Sequence, residues 1–158
     1  MTVKVLLEKR IQNVEIPKQG REGDFCYDVY ATSEKELYPG VWEYGLGFSY
    51  EIIIPEDFKE KFGDCHIALS FRPRSSVWKT GMSLSNCIGT LDELYRGEVK
   101  AVFYHLIKDL PRYKTGDKIG QIHLDICPAI DFAIVDSVNK NTVRGEGGFG
   151  STDKTKKR

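Results

Sequence analysis

Apolar and polar positions alternate with a period of two over several short runs of this chain. Phe48, Tyr50, Ile52 and Ile54 alternate until Pro55 ends the run, and Ile122, Leu124 and Ile126 alternate before Pro128. A spacing of two places side chains on one face of a β-strand. Ile67-Ala-Leu-Ser-Phe71 and Val99-Lys-Ala-Val-Phe-Tyr104 are short and rich in apolar residues, as buried strands are. Turn-forming residues separate these runs: Pro39-Gly40, Gly63-Asp64, Gly97 and Thr115-Gly116-Asp117. The best helical segment covers residues 56–62, with Pro55 placed to start it and acids in its first turn. Many short strands, frequent turns and at most one short helix predict an all-β fold, a sandwich or a barrel.

A chain of 158 residues suits one domain and buries enough apolar surface to need no staples. No internal repeat or linker divides it. The one boundary is a loosening after Val143, which gives a domain over 1–143 and a flexible arm over 144–158. Acidic and basic residues balance at 23 each, so no global field steers the protein onto nucleic acid, although a local site for a charged ligand remains open. The basic end over 154–158 is read as a solvated terminus. Lys4, Glu8, Lys9 and Arg10 interrupt the start where a signal peptide would be apolar, and no apolar run approaches membrane-spanning length. The expectation is a soluble intracellular, cytoplasmic protein with no membrane and no nucleic-acid partner. Cys26, Cys65, Cys87 and Cys127 form no C-x-x-C pair, which fits free thiols in a reducing compartment. His66, His105 and His123 each stand alone in strand-like segments and are read as structural.

Chemistry gathers in five places. Arg144-Gly-Glu-Gly-Gly-Phe-Gly-Ser-Thr152 contains G-x-G-x-x-G, but only a few residues follow, too few for the helix that a dinucleotide motif opens. A terminal arm is expected instead. Its glycines let backbone N–H groups approach anionic oxygens, Arg144 can grip phosphate in two places, and Phe149 offers a stacking face. Pro73-Arg74-Ser75-Ser76 sets a cation and two hydroxyls on a proline-fixed turn, the parts of a phosphate cradle. Residues 86–98 carry Asn86, Asp92 and Tyr95 on a hairpin that Gly89 and Gly97 allow to bend tightly. An aspartate there can orient and deprotonate a water, and its usefulness depends on placement because a carboxylate is a weak base. Asp28 is a single acid in an otherwise apolar strand. A buried acid needs a partner, and a metal-bound water, an arginine or a backbone N–H would each serve. Gly116-Asp-Lys-Ile-Gly-Gln121 is too short for a Walker loop and reads as a turn into a strand, with Gln121 as a polar contact.

Taken in order, Cys26-Tyr-Asp-Val-Tyr-Ala31, Pro73-Arg-Ser-Ser76, Gly89-Thr-Leu-Asp-Glu-Leu-Tyr-Arg-Gly97, Gly116-Asp-Lys-Ile-Gly-Gln121 and the terminal arm resemble the five ordered motifs of the homotrimeric dUTPase family. The likeness runs from about residue 20 to 153, and its third and fifth motifs are the most specific. The resemblance implies a jelly-roll-like distorted β-barrel assembled as a homotrimer. It implies hydrolysis of dUTP to dUMP and pyrophosphate with Mg2+, which lowers dUTP and supplies dUMP for thymidylate synthesis. It also implies three sites at subunit junctions, with the arm of one chain closing over a site built by the other two.

Position by position, the resemblance makes Asp92 the general base for water attack on the α-phosphorus. Tyr95 packs under deoxyribose and leaves no room for a 2′-hydroxyl. Asn86 and the backbone after it read the uracil edge. Arg74, Ser75, Ser76 and Gln121 match phosphate contacts, and Asp28 matches the acid that holds magnesium through water. Arg144 and Ser151 match the arm's phosphate contacts, Phe149 the ring over uracil, and Gly150 a further substrate-binding position of the arm. Four positions depart from the usual pattern: Cys26 and Trp78 replace smaller residues, Gly120 replaces alanine, and Asp153 replaces glycine. The segment over 34–62 fits the family poorly. The rival readings are a dCTP deaminase of the same fold, which lacks this kind of arm, and a regulatory or binding protein that keeps the fold.

Overall fold

The alternating runs fold as strands. A computed structural model describes residues 2–147. Its strands are β1 (Lys4–Lys9), β2 (Tyr27–Tyr30), β3 (Ser33–Tyr38), β4 (Val41–Gly45), β5 (Phe48–Ile53), β6 (Cys65–Pro73), β7 (Met82–Leu84), β8 (Gly89–Asp92), β9 (Lys100–His105) and β10 (Lys118–Pro128). They form three antiparallel sheets in the orders β1-β5, β2-β10-β6-β8 and β3-β4-β9-β7. This is the expected all-β barrel of jelly-roll type.

Alternation in β5 buries Phe48, Tyr50 and Ile52 and exposes Glu51 and Ile53. In β10, Ile122 is buried, Leu124 half-buried and Ile126 exposed, so the strand leaves the core as it runs. Between the sheets, Tyr44, Phe71, Phe103 and Tyr113 meet edge to face with centroids 5.7–6.3 Å apart, the arrangement the ring quadrupole favours. The Tyr44 hydroxyl donates to the Tyr113 carbonyl at 2.8 Å, which ties β4 to the loop before β10.

Two local features differ from expectation. Helix α1 covers only Phe58–Phe62, because the Phe58 N–H first closes a turn onto the Pro55 carbonyl at 3.0 Å. A short 3-10 helix, Val77–Thr80, follows the Arg74-Ser75-Ser76 turn and was not anticipated. Gly120 is required by its neighbours: a Cβ there would lie 2.3 Å from Phe71 Cζ and 2.7 Å from the Arg72 carbonyl oxygen. The core ring of this chain therefore takes the space that alanine would use.

The segment over 34–62 holds much of the structure together. Glu34 accepts hydrogen bonds from Arg112 Nη2 at 2.9 Å and from the Thr115 N–H at 2.7 Å, so it fixes the loop that enters β10. The Arg112 guanidinium also lies 3.4 Å over the Trp42 ring. An apolar cleft of about 590 Å³ lies beside β1 and is lined by Val3, Val5, Leu7, Ile16, Tyr27 and Leu124, among others. After β10 the described residues, up to 147, form no further strand. Ile130, Phe132 and Ile134 are exposed there at a spacing of two. Among the described residues, no helix is long and apolar enough to cross a membrane.

Candidate active site

The hairpin over 86–98 is held by its backbone. The Asp92 carbonyl accepts two hydrogen bonds, one from the Tyr95 N–H at 3.0 Å and one from the Tyr50 hydroxyl at 2.5 Å. The first closes a four-residue turn that carries both Asp92 and Tyr95. The Tyr95 hydroxyl then donates to the Glu98 carbonyl at 2.9 Å. Gly97 makes room for it, since a Cβ there would lie 2.3 Å from that hydroxyl. Gly97 serves close approach rather than a left-handed bend, and Gly89 lies within β8. The left-handed residue of this region is Cys87, with φ 59°.

The two-stranded sheet supports the hairpin from beneath. Arg10, just beyond β1, donates to the Arg96 carbonyl at 3.1 Å and to Ser49 Oγ at 3.0 Å, and lies 3.1 Å from Glu8. Glu98 accepts from the Gly47 N–H at 3.0 Å. Burial, with Asp92 nearby, pushes the Tyr50 hydroxyl up to about 12, so it remains a donor at neutral pH. The Asp92 carboxylate accepts no hydrogen bond from the described residues and is exposed. With Thr90, Leu91, Tyr95 and Lys100 it lines a shallow cavity of about 210 Å³. Asn86 and Cys87 are exposed on the loop before β8.

A second polar group forms at the far end of β6. Gln121 stands opposite both Arg72 and Asp28, so the three residues make one row across β6, β10 and β2. Arg74 donates to the Lys118 carbonyl at 3.4 Å. Ser75 is exposed, and the half-buried Ser76 starts the 3-10 helix without a side-chain cap bond. Asp28 has a partner, but none of the three expected: Lys118 Nζ lies 2.6 Å from its Oδ2. That contact holds the Lys118 ammonium above its ordinary value.

These two groups stand apart along β6. Asp92 stands opposite Ala68 on β6, and Arg74 lies six residues further on. At about 3.3 Å per residue, their backbones stand roughly 20 Å apart along the strand direction. Arg144 is exposed on a third segment, where its Nε donates to the Gly147 carbonyl at 2.9 Å. Phe149, Gly150, Ser151 and Asp153 lie outside the described residues.

Tyr50, Arg10 and Lys118 are the residues that sequence reasoning missed. Tyr50 belongs to an alternating apolar row and reads as core. Arg10 and Lys118 find their partners only through strand register.

The structure defines a class first: an antiparallel β-barrel of jelly-roll type with one polar group on the β8 hairpin and another across β6, β10 and β2. The dUTPase family model matches residues 12–153. The deoxyuridine 5'-triphosphate nucleotidohydrolase of Corynebacterium glutamicum is 33% identical over 146 residues, covering 91% of this chain and 91% of that protein. That of Finegoldia magna is 33% identical over 154 residues, covering 96% and 99%. Among solved structures, the dUTPase of Staphylococcus bacteriophage 80alpha with dUPNHPP superposes with a TM-score of 0.73 at 18% identity, covering 94% of this chain and 97% of that one. A mutant dUTPase from phage phi11 of S. aureus, solved with a structural Mg(II) ion, gives 0.64 at 16% identity, covering 85% and 98%. At those identities the structures speak for the fold, and the sequence matches speak for the family. The chain belongs to the dUTPase family.

Proposed function

We propose that this protein hydrolyses dUTP to dUMP and pyrophosphate in a homotrimer whose active sites are shared between copies. Water attacks the α-phosphorus, its proton passes to Asp92, and the bond to the bridging oxygen breaks as pyrophosphate leaves. The observation that carries this reading is the Asp92 carboxylate. It is exposed, free of hydrogen bonds from the described residues, and set beside a cavity on a turn whose backbone is clamped. A weak base works when it is placed, and here the backbone is placed.

Tyr95 lines the same cavity, which supports reading it as the residue under deoxyribose. Asn86 and the loop after it read the uracil edge, where the wrong base leaves buried groups unpaired at about 1–3 kcal/mol each. Arg74, Ser75, Ser76 and Gln121 take the phosphates. Arg144, Phe149, Gly150 and Ser151 close the site. The chain is divided into a domain over 1–143 and an arm over 144–158.

Asp28 fits a magnesium ion held through water. It offers one hard carboxylate with an oxygen to spare beyond Lys118, and no group of three ligating side chains lies among the described residues. Mg2+ keeps several waters and binds through one or two carboxylates plus phosphate oxygens. When bound, it lowers the repulsion between a triphosphate and an incoming hydroxide-like nucleophile. This chain's own cations, Arg74 and Arg144, act in the same direction. The product dUMP supplies thymidylate synthesis, and the four unpaired thiols suit a reducing cytoplasm.

The wide backbone separation of Asp92 and Arg74 along β6, roughly 20 Å, supports a site that takes the two groups from different copies. The exposed apolar row Ile130, Phe132 and Ile134 supports contact with a neighbouring copy. Subunit mixing tests this directly. Asp92→Asn and Arg74→Ala trimers are each inactive on dUTP. Unfolded and refolded together in equal amounts, they regain roughly a quarter of wild-type activity, the chance that an intact base meets an intact cradle on different subunits. No recovery, with mixed trimers shown by mass, overturns the shared site.

A further inference from the structure

We infer that Tyr50, outside the five motifs, is a positioning and specificity residue of the dUTPase reaction, with separate tasks for its hydroxyl and its ring. The inference rests on the proposed roles of Asp92 and Tyr95.

Tyr50 lies in β5, and its side chain is buried, with 2% of the residue exposed. Its hydroxyl reaches the Asp92 carbonyl at 2.5 Å, the same oxygen that closes the turn to Tyr95. The hydrogen bond therefore acts on the backbone of the proposed base and not on its carboxylate. It fixes where the Cα of Asp92 stands relative to the core. The Tyr50 ring lies 6.5 Å from the Tyr95 ring at a 45° tilt, so it backs the residue that is proposed to exclude a 2′-hydroxyl. The opposite position on β1 is Leu7, one residue from Glu8, which accepts from Ser49 Oγ at 2.8 Å in the cluster that Arg10 joins to the Arg96 carbonyl. The start of the turn is thus tied to β5, and the residue after it, Arg96, to Arg10 just beyond β1. Other side chains in the alternating row of β5, Phe48 and Ile52, have no polar atom to offer, and Tyr50 stands where the row passes under Asp92.

The two tasks separate by substitution. Tyr50→Phe keeps the ring and removes the hydroxyl. Its kcat on dUTP falls roughly tenfold, because a loosened base samples productive geometry less often. Its KM stays within about twofold, and its preference for dUTP over UTP is kept. Tyr50→Leu also removes the ring. In addition to the loss in kcat, its ratio of kcat/KM for dUTP over UTP falls roughly tenfold, because Tyr95 loses its backing. Calorimetric binding of dUMP reports that each variant is folded and keeps its site. A purely structural role would lower stability and leave the kcat-against-KM split and the dUTP-to-UTP ratio unmoved.

Wild-type kcat in Tyr50→Phe with dUMP binding intact overturns the role of the hydroxyl. An unchanged dUTP-to-UTP ratio in Tyr50→Leu overturns the role of the ring. Should Tyr50→Leu fail to fold, Tyr50→Ile takes its place, and Tyr50→Phe alone decides the hydroxyl. A wild-type protein inert toward dUTP overturns the functional reading and this inference with it, whereas an active wild type beside an unaffected Tyr50→Phe overturns the inference alone.

Discussion

Lys118 Nζ lies 2.6 Å from Asp28 Oδ2, where β10 pairs with β2. Both side chains are largely withdrawn from water, at 28% and 17% exposure. A carboxylate in such a place needs a charge partner, and a lysine from the fourth motif supplies it. The first and fourth motifs are therefore joined before any ligand arrives, and Arg74 of the second joins them through the Lys118 carbonyl.

The pair should couple measurably. A double-mutant cycle of Asp28→Asn and Lys118→Met, read by urea denaturation, is expected to give about 1 kcal/mol, the upper range for partly exposed pairs. A coupling near zero would mean the contact contributes nothing to folding.

Glu34 gives a pH-dependent term. The hydrogen bond from Arg112 holds its carboxyl below the usual glutamate value, with the Thr115 N–H and nearby Lys114 acting in the same direction against burial. A lowered folded-state pKa contributes stability that is present above the unfolded value of about 4.3 and is lost as pH falls through the folded one. Wild type should therefore exceed Glu34→Gln by roughly 1–2 kcal/mol at pH 7, with the difference shrinking below about pH 4. A difference independent of pH between 7 and 3 would show that ionised Glu34 is not what holds the loop.

Cys87 adopts φ 59° without the freedom of glycine. For other residues that conformation costs roughly 1–2 kcal/mol, part of which glycine forfeits through its freer unfolded chain. Cys87→Gly should raise the melting temperature by about 2 °C, as expected of a net gain below 1 kcal/mol in a domain of this size. A lower melting temperature would show that the thiol makes contacts worth more than the strain.

Much of the fold was legible because burial imposes a period of two. Phe48, Tyr50 and Ile52 announced β5, and Ile122 and Leu124 announced β10. The family was legible as ordered motifs, since the types and order of Asp28, Arg74, Asp92, Tyr95 and Gln121 are themselves specific. What sequence could not supply was register. Lys118 and Asp28 are 90 residues apart, and only the pairing of β10 with β2 makes them neighbours. Tyr50 hid in an apolar row because an aromatic side chain packs by its ring and bonds by its tip. The start of α1 was misplaced because Pro55 suits a turn as well as a first helical position. The left-handed bend fell on Cys87 rather than on a glycine, which local propensity does not foresee.

Pyrophosphate release from dUTP in the presence of Mg2+, compared between wild type and Asp92→Asn, tests the central claim most directly. Wild type should turn over, and the variant should lose roughly 10²–10⁴-fold in kcat while binding dUMP as before, because the amide keeps the shape and removes the base. An inert wild type, or a variant with wild-type kcat, would contradict the account.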